Sequence, residues 1–138
     1  MSESSTSEFN ERQWAYLALR LALGLNMFLH GVTRLPDLGG FAEGLVSSFE
    51  GTILPAVLVE AFATVLPFLE AAVGGLLLLG LFRKQALLLG VAVMLSLIFG
   101  TGLQQNWGGI ATQMHYILYF GLLLAFLRYD CYALDLRR

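Results

Sequence analysis

Apolar residues fill four long runs of the chain, Trp14 to about Leu35, Pro55 to Leu81, Gln85 to Leu103 and Ala111 to Leu127. As helices they reach roughly 24 to 39 Å, which brackets the ~30 Å hydrocarbon core of a bilayer, so each predicts one crossing. The second run is longer than an upright helix needs, and Pro67 inside it removes a backbone hydrogen bond, so a tilt or kink is expected there. Between the first two runs lies PDLGGFAEGLVSSFEGTILP, too apolar for a plain loop and too interrupted to cross. Its Phe41, Leu45, Val46 and Phe49 share one helical face, which predicts a short helix lying in the membrane interface. The expected fold is therefore all-α: a single four-helix transmembrane bundle over residues 14–138, with the short helix roofing one mouth. Residues 1–13 are polar and read as a disordered tail with a possible cap near Asn10; they lack the apolar stretch of a signal peptide.

Composition supports a membrane protein. Only 13% of the 138 residues are charged and 57% are hydrophobic, against about 25% charged in soluble domains. A net charge of -2, with no basic tail, gives nucleic acid nothing to bind. The lone Cys131 forms no internal disulfide or C-x-x-C pair, so any redox role needs a cofactor or partner. Charge also orients the bundle. Arg12, Arg83, Lys84, Arg128, Arg137 and Arg138 fall on the side of the termini and Arg34 alone on the other, which by the positive-inside rule places both termini in the cytoplasm and the chain in the cell's inner (cytoplasmic) membrane.

Polar residues inside an apolar run carry the functional question. In GLNMFLHGVTRLPDL, Asn26, His30 and Arg34 recur every fourth residue and span a helical sector of roughly 80°. Counted from the expected borders, Glu60 and His115 reach a similar depth on other helices, with Gln104 closing the third. His30, Arg34, Glu60, Gln104 and His115 are thus expected to converge beneath the short helix, since ionisable groups in lipid usually face a partner or a wet cavity. Their closeness to the border leaves snorkelling or headgroup contact open as a second reading. No metal site is predicted, because the two histidines lack local ligand spacing. Deeper on the terminal side, Arg20 and Glu70 are expected to form a structural ion pair, with Gly74 admitting a neighbouring helix. Nucleotide loops, G-x-S-x-G elbows and haem-attachment motifs are absent from the sequence.

The stretches LRLALGLNMFLHGVTRLPDLGGFAEGL, LPFLEAAVGGLLLLGLFRKQALLLG and LRYDCYALDLRR resemble the DoxX/DoxD family of membrane proteins, on Arg20, Gly24, His30, Gly31, Arg34, Glu70, Gly74 and Asp135. Within that family the similarity is to membrane subunits of thiosulfate:quinone oxidoreductases. The resemblance implies a four-helix subunit passing electrons from a reduced sulfur compound to quinone. In that reading His30 is the proton donor or quinone ligand and Arg34 the anion anchor. His115, Gln104 and Trp107 form the pocket wall, and a second subunit or a homo-oligomer completes the machinery. Two other classes compete: a non-catalytic module that binds a lipid or hydrophobic small molecule or anchors a partner oxidoreductase, and a small oligomeric transporter.

Overall fold

The computed structural model describes residues 3–137, with side chains from 7 to 135. Among the described residues every regular element is helical, with no strand. Helix α1 is Glu3–Val32, α2 Leu38–Ser48, α3 Ala56–Leu79, α4 Arg83–Leu103 and α5 Trp107–Ala125. The four-helix bundle with a short accessory helix between its first two members is the predicted fold. Three of the helical stretches are long and apolar enough to cross a membrane, and the chain is membrane-embedded. The fourth bundle helix, α5, carries Thr112, Gln113 and His115 in its first half and packs along α4.

Three local features depart from expectation. Helix α1 begins at Glu3, so residues 3–13, expected as a disordered tail, continue the crossing helix outward on the terminal side. It ends at Val32, not near Leu35: Pro36 cannot continue it, and Thr33 and Arg34 turn into the short 3-10 segment Leu35–Asp37. Helix α2 starts at Leu38 because the Asp37 carboxylate accepts the Gly40 N–H and caps it. Residues 1 and 2 of the tail, and Arg138 of the charge count, lie outside the described residues.

The core sits where α1 meets α3, the largest interface of the bundle. Gly31 and Gly74 make it possible. A methyl group at Gly31 would collide with the Pro67 carbonyl and the Ala71 N–H, and one at Gly74 with the backbone of Phe28. In lipid such close backbone packing takes the place of the hydrophobic effect. Around it Leu23, Met27, Leu66, Val73, Leu77, Leu87 and Phe120 are buried. Helix α4 packs on α3 and α5, whereas α5 meets α1 along a much thinner contact, so the bundle is weakly closed on that side.

A clasp holds the terminal side together. The α3/α4 link takes two left-handed residues, Gly80 at φ 66° and Phe82 at φ 45°. Phe82 offers α4 no side-chain cap of its own. Asp135, 53 residues further on, supplies it: its carboxylate accepts the backbone N–H of Phe82 at 3.0 Å and of Arg83 at 3.2 Å. The Asp135 N–H in turn donates to the Gly80 carbonyl. A carboxylate at a helix N-terminus also meets the positive end of the helix dipole.

Candidate functional site

Helix α1 ends two residues before Arg34, and that single fact separates the residues expected to cluster. Asn26 and His30 point outward from α1 toward α5, while Arg34, beyond the last helical turn, swings the other way and donates to Glu70 on α3. The Phe41 ring of α2 lies over the guanidinium, 4.7 Å from its carbon to the ring centroid. Arg34 is thus held between a carboxylate and an aromatic face, so α2 covers the ion pair.

The expected pair of Arg20 with Glu70 is not formed. The antiparallel register of α1 and α3 explains why: Gly24 lies against Leu78, Phe28 against Gly74 and Gly31 against Ala71. Carried along, this register sets Glu70 level with Val32 and Arg20 level with the α3/α4 link, about 18 Å apart along the bundle. Counting depth from separate helix ends missed this offset. Arg20 instead donates to Asp130 at 3.2 Å and to the Tyr132 carbonyl at 3.2 Å. Arg83 reaches Asp130 as well, at 3.2 Å, and Asp135 at 3.3 Å. Asp130, with 1% of its side chain exposed, therefore joins two arginines from different helices.

The other expected site residues divide among three places. Glu60 is exposed and lines a shallow groove between α2 and α3 with Glu43 and Thr64. Gln104 donates to the Ser48 carbonyl and hydroxyl, pinning the end of α2 to the end of α4. Trp107 is exposed at the start of α5, away from both. Only Asn26, His30 and His115 share a neighbourhood, the thin seam between α1 and α5.

That seam gathers polar side chains from both helices. The Tyr116 hydroxyl donates to the Asn26 side-chain oxygen at 3.0 Å. The His30 ring stands edge-on to Tyr116, with centroids 6.3 Å apart. His30 Nδ1 is 3.0 Å from the Asn26 carbonyl. A carbonyl only accepts, so in the neutral ring Nδ1 carries the proton and Nε2 is left as an acceptor. Asn26, Thr112, His115, Tyr116 and Tyr119 open onto a groove of about 470 Å³ between the two helices. Tyr116 was missed in the sequence because a tyrosine in an apolar run reads as packing; its place one residue after His115 was the available signal. Among the described residues no group of three metal-ligating side chains occurs.

The family model described as methylamine utilisation protein MauE matches residues 12–113, about three quarters of the chain. The chain belongs to the MauE family. The match runs from the start of the bundle into α5 and includes the α1/α3 contact, the Arg34 with Glu70 pair and helix α2. Comparison with curated proteins gives no match. Comparison with solved structures gives none either. MauE membership corrects the DoxX/DoxD resemblance, for which no family match is found. Of the residues that carried the resemblance, all but the exposed His30 pack or pair the helices: Gly24, Gly31 and Gly74 by close approach, and Arg20, Arg34, Glu70 and Asp135 by ion pairs. The ground for a thiosulfate-oxidising role goes with it.

Proposed function

We propose that this MauE-family chain is a membrane-embedded accessory module for the use of methylamine or a related small amine, and that it works by receiving a transmembrane segment of a partner protein along the α1/α5 seam. The observation that carries this reading is the placement of polar groups. The charged groups deep in the bundle are matched internally, Arg34 by Glu70 and Arg20 by Asp130, while Asn26, His30 and His115 are exposed on the least closed face. Lipid tails leave such groups without partners, and a helix bearing its own polar residues satisfies them. The charge asymmetry supports termini in the cytoplasm. Cys131 is exposed on the terminal side, so in that orientation a membrane-impermeant thiol reagent added outside intact cells leaves it unlabelled.

The test is genetic and biochemical together. Deletion of the gene is expected to abolish growth on methylamine. Wild type restores it, and a variant with Asn26→Leu, His30→Leu and His115→Leu, accumulated normally in the membrane, does not. Unchanged growth after deletion, or full rescue by the variant, overturns the reading. The 470 Å³ groove with His115 on its wall supports one alternative occupant, a hydrophobic small molecule bearing carbonyl groups, such as a quinone. Its signature is a quinone extracted from purified wild-type protein and lost from the triple variant.

A further inference from the structure

A second groove, which meets the polar seam at Leu19, opens at the terminal end of the same two helices. It holds about 510 Å³ and its walls are apolar, built from Ala15, Leu19, Leu122, Leu123 and Phe126. Arg12 and Tyr129 stand at its mouth. The Tyr129 hydroxyl accepts from Arg12 Nη1 at 3.0 Å and from Arg128 Nη2 at 3.0 Å. The donor nitrogens of two guanidinium groups therefore lie no more than twice that distance apart with only a neutral phenol between them. Both also sit against the Tyr129 ring, at 5.8 and 4.8 Å from its centroid.

Two like charges held this close repel each other, and an anion between them relieves the repulsion. Among the described residues neither arginine forms an ion pair with a carboxylate, because Asp130 and Asp135 are taken by Arg20 and Arg83. The nearest acid to act on Arg12 is Glu8, exposed one turn earlier on α1. The level is that of a membrane interface. Trp14 and Tyr132 stack at 5.1 Å just below Arg12, and Phe9 packs on Tyr129 at 5.5 Å, forming the kind of aromatic belt found at headgroup depth.

We infer that this groove is a binding site for one anionic phospholipid, its phosphate held between Arg12 and Arg128 and an acyl chain laid between α1 and α5. Charge complementarity selects this occupant. Guanidinium groups offer paired donors to phosphate oxygens, and the residues that line the groove include no carboxylate to receive the ammonium of a zwitterionic headgroup. The Tyr129 phenol holds the two arginines in place while the site is empty and yields its hydrogen bonds when the phosphate enters. This site needs no partner protein, so it stands whether or not the seam receives one.

Purified full-length protein in mild detergent is titrated with dioleoyl phosphatidylglycerol or dioleoyl phosphatidylcholine, and bound lipid is read by native mass spectrometry. One phosphatidylglycerol is expected per chain, preferred over phosphatidylcholine. Arg12→Gln and Arg128→Gln each lower its affinity by about fivefold and the double variant by about thirtyfold. Ala15→Trp fills the groove without touching a charge and abolishes binding, which decides the matter should the double variant fail to fold. Equal binding of the two lipids, undiminished binding by Ala15→Trp, or displacement of phosphatidylglycerol by inorganic phosphate at equal concentration overturns the inference.

Discussion

Arg34 reaches Glu70 from beyond the end of its helix, and the two side chains differ sharply in their access to the surroundings: Arg34 is 29% exposed and Glu70 4%. The pair is therefore asymmetric. Arg34→Ala strands a carboxylate that cannot leave the α1/α3 interface, at a cost of about 3–5 kcal/mol. Glu70→Gln leaves a guanidinium that can turn toward the distal border and costs about 1–2 kcal/mol. Unfolding titrations in mixed detergent and sodium dodecyl sulfate measure both, and equal costs contradict the asymmetry.

Backbone contact at Gly74 makes a second expectation. The obstacle to a methyl group there is the main chain of Phe28, which no rotamer change can move aside. Gly74→Ala is expected to destabilise by about 1–3 kcal/mol, and Gly121→Ala, where nothing lies within 4 Å, to be neutral or slightly stabilising. Thermal melts followed by circular dichroism separate the two.

How far the sequence foretold this molecule depends on the kind of information each residue carries. Four apolar runs and a short amphipathic stretch specify their own helices, because length and periodicity are local properties, and the all-α bundle with its roofing helix was legible for that reason. Pairing was not. Arg20 and Glu70 are both deep and opposite in charge, and only the register set by Gly31 and Gly74 against backbone shows them to be about 18 Å apart. The four-residue spacing of Asn26, His30 and Arg34 held for the first two and failed for the third, since Pro36 ends the helix before it. Asp130 and Asp135 sit in a polar ending where acids are ordinary, and their partners lie about fifty or more residues away in sequence. Nothing near them in the chain marks the clasp.

Asp135 predicts a response to acid. Burial works to raise its carboxyl, but the Phe82 and Arg83 N–H groups and the Arg83 guanidinium outweigh that and hold it below its ordinary value of 3.8. A depressed value means the carboxylate adds stability above the unfolded value and loses it as pH falls through the folded one. The clasp is thus complete at neutral pH and opens below about pH 4. Trp14, stacked on Tyr132 beside the clasp, reports this by its fluorescence. Asp135→Asn is expected to remove this acid transition; a transition that persists unchanged in the variant assigns it to another group.

Across the seam, the Tyr116 hydroxyl donates to Asn26, and nearer the terminal side a second hydrogen bond joins α1 and α5, from the buried Tyr16 hydroxyl to the Leu123 carbonyl. Such bonds in membrane bundles are worth about 0.6 kcal/mol and at most about 1.7. Tyr116→Phe is expected to cost that little in stability while loosening the seam, so cysteines placed on α1 and α5 in a Cys131→Ser background cross-link more slowly. A large loss of fold stability would show that the seam is core and not a docking face.

The clasp itself gives the sharpest contrast between breaking a buried pair and replacing it. Asp130 is 1% exposed and Arg20 3%, so Asp130→Asn leaves the Arg20 charge in the membrane without its carboxylate and is expected to cost about 3–5 kcal/mol. Asp135→Asn, at a side chain 26% exposed, is expected to cost well under that. Removing both charges together, Arg20→Met with Asp130→Asn, eliminates the uncompensated charge and should recover most of the loss, because what destabilises the single variant is the stranded guanidinium and not the missing attraction. Arg83 remains free in that double variant to turn toward Asp135, which already accepts its Nε. Denaturant titrations of Arg20→Met, Asp130→Asn and the double variant form a thermodynamic cycle with a coupling of opposite sign to the single losses, and simple additivity would place the clasp's stability in packing alone.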